Sequence, residues 1–377
     1  MHERQTERAH LKRKLLAGVS IHMPAPRRIG KTWTIKRLAG DLRAAGWVAV
    51  EIDVEGVKTP EKFARDLCKR IEAQSSIRDR FKTHAMQRLT NLLGGDWGTN
   101  PLDALGKVDP IEFAETLIAA LDESGDHIAI IVDEISYFFL KLAEADVEAA
   151  NAFAYRLRAL QQRYRNVRWL ITGSIGLDTI ARRYGLQGAF VDFELFPLDP
   201  FTPDEARSYL RDPDLQRQLN HRFDADDADF DHMFARLGWL APYYLKIIAN
   251  QVRPSIAAGN RALPRATAAD FDAAFDRLLQ PDRTSEFAVW VEHVDKNLPA
   301  ADRDRAMQTL HLLSRSDAGE VEATILAALG GPAAVRRRQL LDILAMLIND
   351  GLLMKQGDRY RFRSGLVRQY WHDYEAE

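Results

Sequence analysis

The feature that most constrains this chain is the stretch Ala25-Pro-Arg-Arg-Ile-Gly-Lys-Thr32, which has the spacing of a phosphate-binding loop. The apolar run Val19-Ser-Ile-His-Met23 precedes it and predicts a buried strand. Apolar residues then recur at helical spacing from Trp33 to Ala44. A loop between a strand and a helix directs backbone N–H groups and the helix N-terminus towards an anion. The sequence therefore predicts a phosphate site here.

Two residues of this loop have specific expected roles. Lys31 is expected to reach the β- and γ-phosphates of a nucleotide, and the Thr32 hydroxyl to contact Mg²⁺. The first position, usually glycine, is Ala25. The alternative is a chance Gly-Lys-Thr in an ordinary loop, which the flanking strand and helix argue against. The predicted nucleotide contacts in this segment are Ala25, Pro26, Arg27, Arg28, Ile29, Gly30, Lys31, Thr32 and Trp33.

Composition excludes several classes of protein. The chain has 377 residues, enough for two or three domains, and a net charge of -2, which argues against coating nucleic acid by bulk electrostatics. Its single cysteine, Cys68, allows no disulfide within the chain and no cysteine-built zinc site. The segment from Met1 to Lys14 lacks the apolar core of a signal peptide, and no apolar run approaches the ~18 residues of a membrane span. We therefore expect a cytoplasmic protein without membrane contact.

Strands alternate with helices over the first half of the chain. The five apolar residues Ile128–Val132 are typical of a central parallel strand that is covered on both faces. Residues 75–110 are predicted as a helix followed by a variable loop. Strands are predicted at 19–23, 47–53, 128–132, 167–172 and 189–195, and helices at 33–44, 60–74, 111–123 and 144–165. This alternation indicates a doubly wound α/β sheet over roughly residues 15–198.

The composition changes at Pro197–Pro203, where three of seven residues are prolines. Thr202, followed by proline and by Glu205, is a favourable helix start, and helical patterns continue beyond it. Helices predicted at 302–315, 320–329 and 333–349 precede a hairpin at 352–362, which suggests a winged helix. The predicted domains are a phosphate-loop core at 1–198, a helical lid with linker helices at 199–300, and a winged helix at 301–377.

Polar residues follow two of the predicted strands. Asp133 and Glu134 follow the strand 128–132, where Asp133 can hold Mg²⁺ through water or through Thr32, and Glu134 can orient or deprotonate water. The alternative is that two acids simply end a strand at solvent. Ser174, after the strand 167–172, can bond the γ-phosphate or its water. Its alternative is a small-residue turn without a role.

Two pairs of arginines have open assignments. Arg182 and Arg183 are expected on a solvated surface, with contact to a neighbouring phosphate as the alternative. Arg27 and Arg28, inside the loop, can pair with phosphates, with acids of another domain, or with nothing.

Together these motifs resemble the archaeal-type ATPases, a branch close to the STAND signalling NTPases and more distantly related to AAA+ proteins. The resemblance depends on Ala25–Thr32, Ile130-Ile-Val-Asp-Glu134 and Leu170-Ile-Thr-Gly-Ser174. Three later segments are also similar: Phe196–Ala206 to the exit into the family's helical lid, Gly238–Leu245 to the lid's glycine–proline element, and Tyr360–Trp371 to the close of its winged helix.

The resemblance implies a P-loop NTPase core with a mainly parallel sheet, followed by a helical lid and a C-terminal winged helix. It implies ATP and Mg²⁺ as ligands, with Thr32 and Asp133 on the metal side. Glu134 is implied as the catalytic water activator, Ser174 as a catalytic polar sensor and Pro242 as a contact near the base. No arginine finger can be assigned, so slow ATP turnover is expected.

Three functions are compatible with this pattern. The first is an ATP-dependent regulatory switch with a possible protein partner, of the kind that acts in signalling, stress or defence against mobile elements. The second is a DNA-binding ATPase of the origin-recognition or transposition-helper type. It is not favoured, because eight basic residues oppose six acids between Arg336 and Glu377. The third is a scaffold with negligible turnover, which Glu134 argues against and the lack of an assignable arginine finger argues for. The oligomeric state is left open.

Overall fold

The structure is a computed structural model of the chain, and it describes residues 4–73, 109–174, 176–283, 285–298, 300–329 and 333–375. The helix and loop predicted for 75–110 lie outside these residues, apart from Asp109 and Pro110. The chain divides into two compact units. The N-terminal unit contains Arg4–Ala25 and Thr32–Leu198, and the C-terminal unit contains Pro26–Lys31 and Asp199–Glu377.

A five-stranded parallel sheet forms the centre of the N-terminal unit, with strand order β2-β3-β4-β1-β5. The strands are β1 (Ile21–Pro24), β2 (Val48–Asp53), β3 (Ile128–Asp133), β4 (Val167–Gly173) and β5 (Glu194–Leu195). All six residues of β3 are buried, as a central strand covered on both faces requires. Because β4 lies between β1 and β3, the ends of three neighbouring strands meet at one edge of the sheet.

Helices connect these strands and cover the sheet. They are α1 (Gln5–Leu16), α2 (Lys31–Ala44), α3 (Pro60–Glu72), α4 (Pro110–Glu123), α5 (Ile135–Ala145), α6 (Val147–Arg163) and α7 (Leu177–Tyr184). Two of them begin in the same way: the side chains of Thr59 and Asp109 accept hydrogen bonds from backbone N–H groups, and a proline fills the first helical position. The predicted mainly parallel α/β sheet is confirmed.

Two predicted elements of this unit differ in extent. The helix predicted at 144–165 is interrupted, because Asp146 leaves the helical conformation and its carboxylate caps the backbone N–H of Ala149 at the start of α6. The preceding helix α5 was not predicted. The strand predicted at 189–195 shortens to Glu194–Leu195, since this edge strand pairs only with Ile21 and His22 of β1.

The C-terminal unit is mainly helical. Its helices are α8 (Pro203–Leu210), α9 (Pro213–Gln216), α10 (Asp227–Leu237), α11 (Pro242–Gln251), α12 (Ala268–Leu278), α13 (Ser285–Asn297), α14 (Ala300–Ser314), α15 (Glu322–Ala328), α16 (Ala333–Asp350) and α17 (Gly365–Tyr370). The helix start predicted at Thr202 is confirmed, because Thr202 and Glu205 form a reciprocal capping box. No helix within the described ranges has both the length and the apolar composition needed to cross a bilayer.

The end of the C-terminal unit contains a small antiparallel sheet in the order β6-β8-β7. Its strands are β6 (Glu320–Val321), β7 (Leu353–Gln356) and β8 (Arg359–Phe362). The first two residues of the helix predicted at 320–329 form β6 instead, because they pair with β8 at Tyr360 and Arg359. The predicted order of helices followed by a hairpin is present.

Candidate functional site

The backbone of the loop between β1 and α2 has two residues in the left-handed region. Gly30 has a φ of 91°, which glycine adopts without steric cost, and Arg28 has a φ of 70°. A left-handed arginine costs about 1–3 kcal/mol, and such residues concentrate at ligand sites. Helix α2 begins at Lys31, and its first turn contains no acid. The positive end of this helix is therefore not neutralised from within its own first turn.

The carboxylate of Asp133, at the tip of β3, lies among three hydrogen-bond donors. Its Oδ2 accepts a bond from the Thr32 hydroxyl at 3.0 Å. Its Oδ1 accepts bonds from the Thr172 hydroxyl at 2.5 Å and from the backbone N–H of Glu134 at 3.0 Å. Asp133 is buried, whereas Thr32 is exposed. The two predicted metal contacts are thus neighbours, and Thr172 on the intervening strand orients the carboxylate.

Glu134 and Ser174 form a second hydrogen-bonded pair at the same edge. The Oε2 atom of Glu134 accepts bonds from the Ser174 hydroxyl at 2.8 Å and from its backbone N–H at 3.1 Å. Both residues are buried. Glu134 has a φ of 59°, a left-handed conformation that costs about 1–2 kcal/mol for a residue with a Cβ. The two predicted catalytic residues are therefore hydrogen-bonded to each other, and their catalytic roles stay predictions.

Close packing fixes the backbone on which this pair depends. A Cβ atom on Gly173 would lie 2.0 Å from the Oγ of Ser136, so only glycine fits between Thr172 and Ser174. The Ser136 hydroxyl is itself fully buried and has no hydrogen-bond partner among the described residues. An unpaired buried hydroxyl costs free energy unless a bound group satisfies it.

The two loop arginines contact residues of the C-terminal unit, to which this part of the loop belongs. The Nε of Arg27 donates to Asp350, the last residue of α16, at 3.2 Å, and both side chains are largely buried. The guanidinium of Arg28 lies 4.0 Å from the ring centroid of Tyr243, which directly follows Pro242 in α11. Arg27 was expected to pair with a phosphate, with an acid, or with nothing, and in the structure it pairs with an acid. Phosphate contact for either arginine stays a prediction.

The other predicted residues occupy varied surroundings. Ala25 is buried and its N–H donates to the Gly173 carbonyl at 3.2 Å. Ile29 is buried, and Trp33 lies near the guanidinium of Arg37 on α2. Pro242 is the first residue of α11. Arg182 and Arg183 are exposed on α7.

Sequence reasoning missed three residues of this region. Thr172 could have been found, because it lies in the Thr-Gly-Ser run that ends β4. Tyr243 is part of the glycine–proline element but had no predicted role. Asp350 had no local signal, since 323 positions separate it from Arg27.

The donors at the sheet edge fit a small divalent cation. Mg²⁺ prefers hard oxygen ligands and uses one or two carboxylates together with phosphate and water. The Asp133 carboxylate and the adjacent Thr32 hydroxyl are donors of this kind. Across the described ranges, no cluster of three or more His, Cys, Asp or Glu side chains could hold a metal ion alone. The donor set therefore suits a cation shared with a phosphate better than an all-protein metal site.

Comparison with known proteins supports the fold. The Walker-type ATPase PABY2304 of Pyrococcus abyssi aligns over 98% of this chain and 95% of its own, with 16% identity and a TM-score of 0.63. The Aeropyrum pernix ORC2 protein in its ADP form aligns over 98% and 91%, with 12% identity and a TM-score of 0.44, from which we draw no conclusion. No profile of a protein family and no curated protein matches. The chain therefore has the mainly parallel α/β fold of P-loop NTPases, followed by a helical C-terminal region.

Proposed function

We propose that this protein binds ATP at the loop 25–32 and hydrolyses it slowly, as a regulatory switch of the STAND- and AAA+-related class. The observation that carries the proposal is the hydrogen bond between Thr32 and Asp133, 3.0 Å long. It joins the end of a phosphate-loop sequence to the acid at the tip of a buried strand. The strained, buried Glu134 beside that acid supports hydrolysis rather than binding alone.

Binding would use groups at the start of α2. Lys31 and the backbone N–H groups that follow Gly30 would contact the phosphates, and Pro242 would lie near the base. Thr32 and Asp133 would hold Mg²⁺, which supplies neutralisation of charge on the phosphate oxygens. The absence of an acid in the first turn of α2 favours the negative ligand.

Hydrolysis would depend on the pair Glu134 and Ser174. Glu134 would orient the attacking water and accept its proton, while Ser174 holds the carboxylate in place through two hydrogen bonds. This makes Ser174 a positioning residue in addition to its proposed role as a polar sensor. We expect slow turnover, because the sequence offers no assignable arginine finger that would stabilise charge in the transition state.

The switch would operate through the two loop arginines. Arg27 pairs with Asp350 and Arg28 stacks on Tyr243, so the loop's own cations already contact helices of the C-terminal unit. A nucleotide phosphate at the loop would compete with Asp350 for Arg27. We infer that nucleotide state changes these contacts and that a protein partner, in signalling or in defence against mobile elements, responds to the change.

A second candidate function is DNA binding through the end of the C-terminal unit, acting as a winged helix. The exposure of Arg337, Arg338, Lys355 and Arg359 on α16 and the β7–β8 hairpin favours it. However, Arg337 pairs with Glu322 and Arg359 bonds the Gly319 carbonyl. Titration of labelled duplex at two salt concentrations separates the candidates, because phosphate contacts produce a steep salt dependence.

The test of the first candidate is Glu134→Gln. We expect this variant to bind ATP with unchanged affinity and to lose hydrolysis by a factor of about 10²–10⁴, the usual contribution of a general base. Glu148→Gln, on the exposed start of α6, is the matched control and should hydrolyse ATP like the unmodified chain. Continued hydrolysis by Glu134→Gln would remove the proposed role of this carboxylate.

A further inference from the structure

A cavity of about 360 Å³ lies within the C-terminal unit, and no residue of the loop 25–32 lines it. It is formed by the C-terminal ends of α10 and α12, by β8, and by α17. We call it the arginine cavity. Its volume falls within the range of small-ligand pockets. Two glycines allow its walls to approach closely: a Cβ atom on Gly365 would lie 2.3 Å from the carbonyl oxygen of Arg236, and one on Gly238 would lie 3.0 Å from that of Arg363.

Among the described residues that line this cavity, four are arginines and one, Asp317, is an acid. The arginines come from three different elements: Arg236 from α10, Arg361 and Arg363 from β8 and the residue after it, and Arg368 from α17. Arg236 is neutralised by Asp272 and Asp276 of α12. Arg361, Arg363 and Arg368 have fewer acids beside them than Arg236 has. The cavity therefore carries an excess of positive charge.

The remaining partners are mostly neutral. Arg368 donates to the Ser314 carbonyl and pairs with Asp317, which is 85% exposed at the rim. Arg363 donates to the Leu353 carbonyl and lies over the Trp239 ring, and its burial lowers the pKa of its guanidinium. The pKa is lowered because the charged form of the guanidinium is less stable where little water can solvate it.

Arg361 is the least satisfied of the four. Its backbone pairs with β7, but its side chain forms no hydrogen bond with a described residue, and its Nε atom is buried without a partner. Gly319 packs closely against the start of this side chain, since a Cβ atom there would lie 2.7 Å from the Cβ of Arg361. A guanidinium with a buried, unpaired N–H is costly unless an acceptor enters the cavity.

Several apolar side chains lie between the arginines. Phe275, Leu279 and Leu366 line the cavity beside the charged groups. Convergent guanidinium groups recognise phosphate, and adjacent aromatic and aliphatic surface accommodates a ring or hydrocarbon portion.

We propose that the arginine cavity binds a small phosphorylated molecule, with Arg361 as the main phosphate contact. The concave shape and the apolar side chains beside the arginines favour a compact ligand over the backbone of duplex DNA. None of the residues that line it belongs to the loop 25–32, so binding at the cavity can be tested in a variant that lacks Lys31.

The test measures binding of inorganic pyrophosphate and of adenosine monophosphate by calorimetry, in the full chain that carries Lys31→Ala. Adding Arg361→Ala should weaken binding about tenfold or more, as expected for loss of a hydrogen bond between charged groups. Arg338→Ala, an exposed arginine of α16, is the charge-matched control and should leave binding within about twofold. Asp317→Asn should strengthen binding, because a competing carboxylate at the rim is removed.

Three results would overturn the proposal. One is that neither probe binds the Lys31→Ala chain. Another is that Arg361→Ala and Arg338→Ala weaken binding equally, which indicates unspecific attraction. The third is that Arg361→Ala impairs only the binding of labelled duplex DNA, which assigns these arginines to DNA contact. If Arg361→Ala does not fold, unchanged or weaker binding by Asp317→Asn also counts against the cavity.

Discussion

Glu134 occupies a backbone conformation that a glutamate rarely adopts, directly after a buried strand. The surrounding structure keeps Glu134 in this conformation. Strand β3 ends directly before it, α5 begins directly after it, and Ser174 donates a hydrogen bond to its carboxylate. A glycine would relieve the strain but would lose the carboxylate. At the scale of single residues, the structure therefore maintains one carboxylate in one orientation at the cost of folding free energy.

The hydroxyl of Ser174 is predicted to matter for turnover and not for nucleotide affinity. Ser174→Ala retains the backbone N–H that bonds Glu134 but removes the hydroxyl donor. We expect the rate of ATP hydrolysis to fall about tenfold or more, the effect of one hydrogen bond to a charged group. The measurement is kcat together with the Kd for ATP. Ser174→Thr, which restores a hydroxyl, should recover much of the rate, and a fall in affinity with kcat unchanged would contradict a positioning role.

The sequence predicted these residues to the extent that their roles depend on short spacing. The loop pattern and the Asp-Glu pair each lie within a few positions of the sequence, so their chemistry can be predicted without a structure. The bond between Glu134 and Ser174 was not predicted, because it depends on how two adjacent strand ends meet. The ion pair between Arg27 and Asp350 could not be predicted for a similar reason, since pairing across 323 positions depends on tertiary packing.

Among the secondary-structure elements, the contact between α16 and the phosphate loop has the clearest consequence. Gly351 ends α16 with a φ of 95°, and a Cβ atom there would lie 3.0 Å from the Cβ of Pro26 and 3.2 Å from the Trp239 ring. Only a residue without a side chain allows the helix end to approach the loop this closely. The carboxylate of Asp350 thereby reaches Arg27 in a largely buried place.

Breaking this ion pair should destabilise the C-terminal unit. Asp350→Ala leaves the partly buried Arg27 without this carboxylate, and we expect the free energy of unfolding to fall by about 3 kcal/mol. Asp358→Ala, in the exposed turn between β7 and β8, is the control and should stay within about 0.5 kcal/mol. Urea denaturation gives both values. In a double-mutant cycle, Arg27→Ala should cost much less once Asp350 is gone, and strictly additive losses would contradict the pairing.

Elements with strong local signals were predicted well, and interrupted ones were not. The buried strand 128–132 and the capped helix start at Thr202 follow from hydrophobic pattern and capping residues alone. The break at Asp146 was missed because helical periodicity continues on both sides of it. β6 is only two residues long and exists through its pairing with β8, so nothing local indicates it.

Considered as a whole, the molecule carries a buried neutral histidine in each unit. Burial lowers the pKa of His22 in β1 to about 4, with Asp178 opposing the shift. Burial, with Arg27, Arg28 and Lys296, lowers the pKa of His293 in α13 to about 3. Both imidazoles take up protons near pH 6.5 in the unfolded chain, as unperturbed histidines do.

Stability is therefore predicted to fall as the pH drops from about 6.5 towards 4. In that window the unfolded state binds more protons than the folded state, so the free energy of unfolding decreases, by up to about 3 kcal/mol for His22. The measurement is the urea midpoint at about pH 7 and about pH 5. His22→Leu should flatten the dependence, whereas His221→Leu at an exposed position should not. Equal slopes in all three chains would show that His22 is not the group responsible.

Binding of a triphosphate where α2 begins can be measured by calorimetric titration of ATP with Mg²⁺. Lys31→Ala should weaken ATP binding about tenfold to a hundredfold, because a charge-assisted contact to phosphate is lost. Lys36→Ala, on the exposed side of the same helix, is the matched control and should bind ATP normally. Equal ATP affinity in the Lys31→Ala variant and the unmodified chain would show that no triphosphate contacts Lys31.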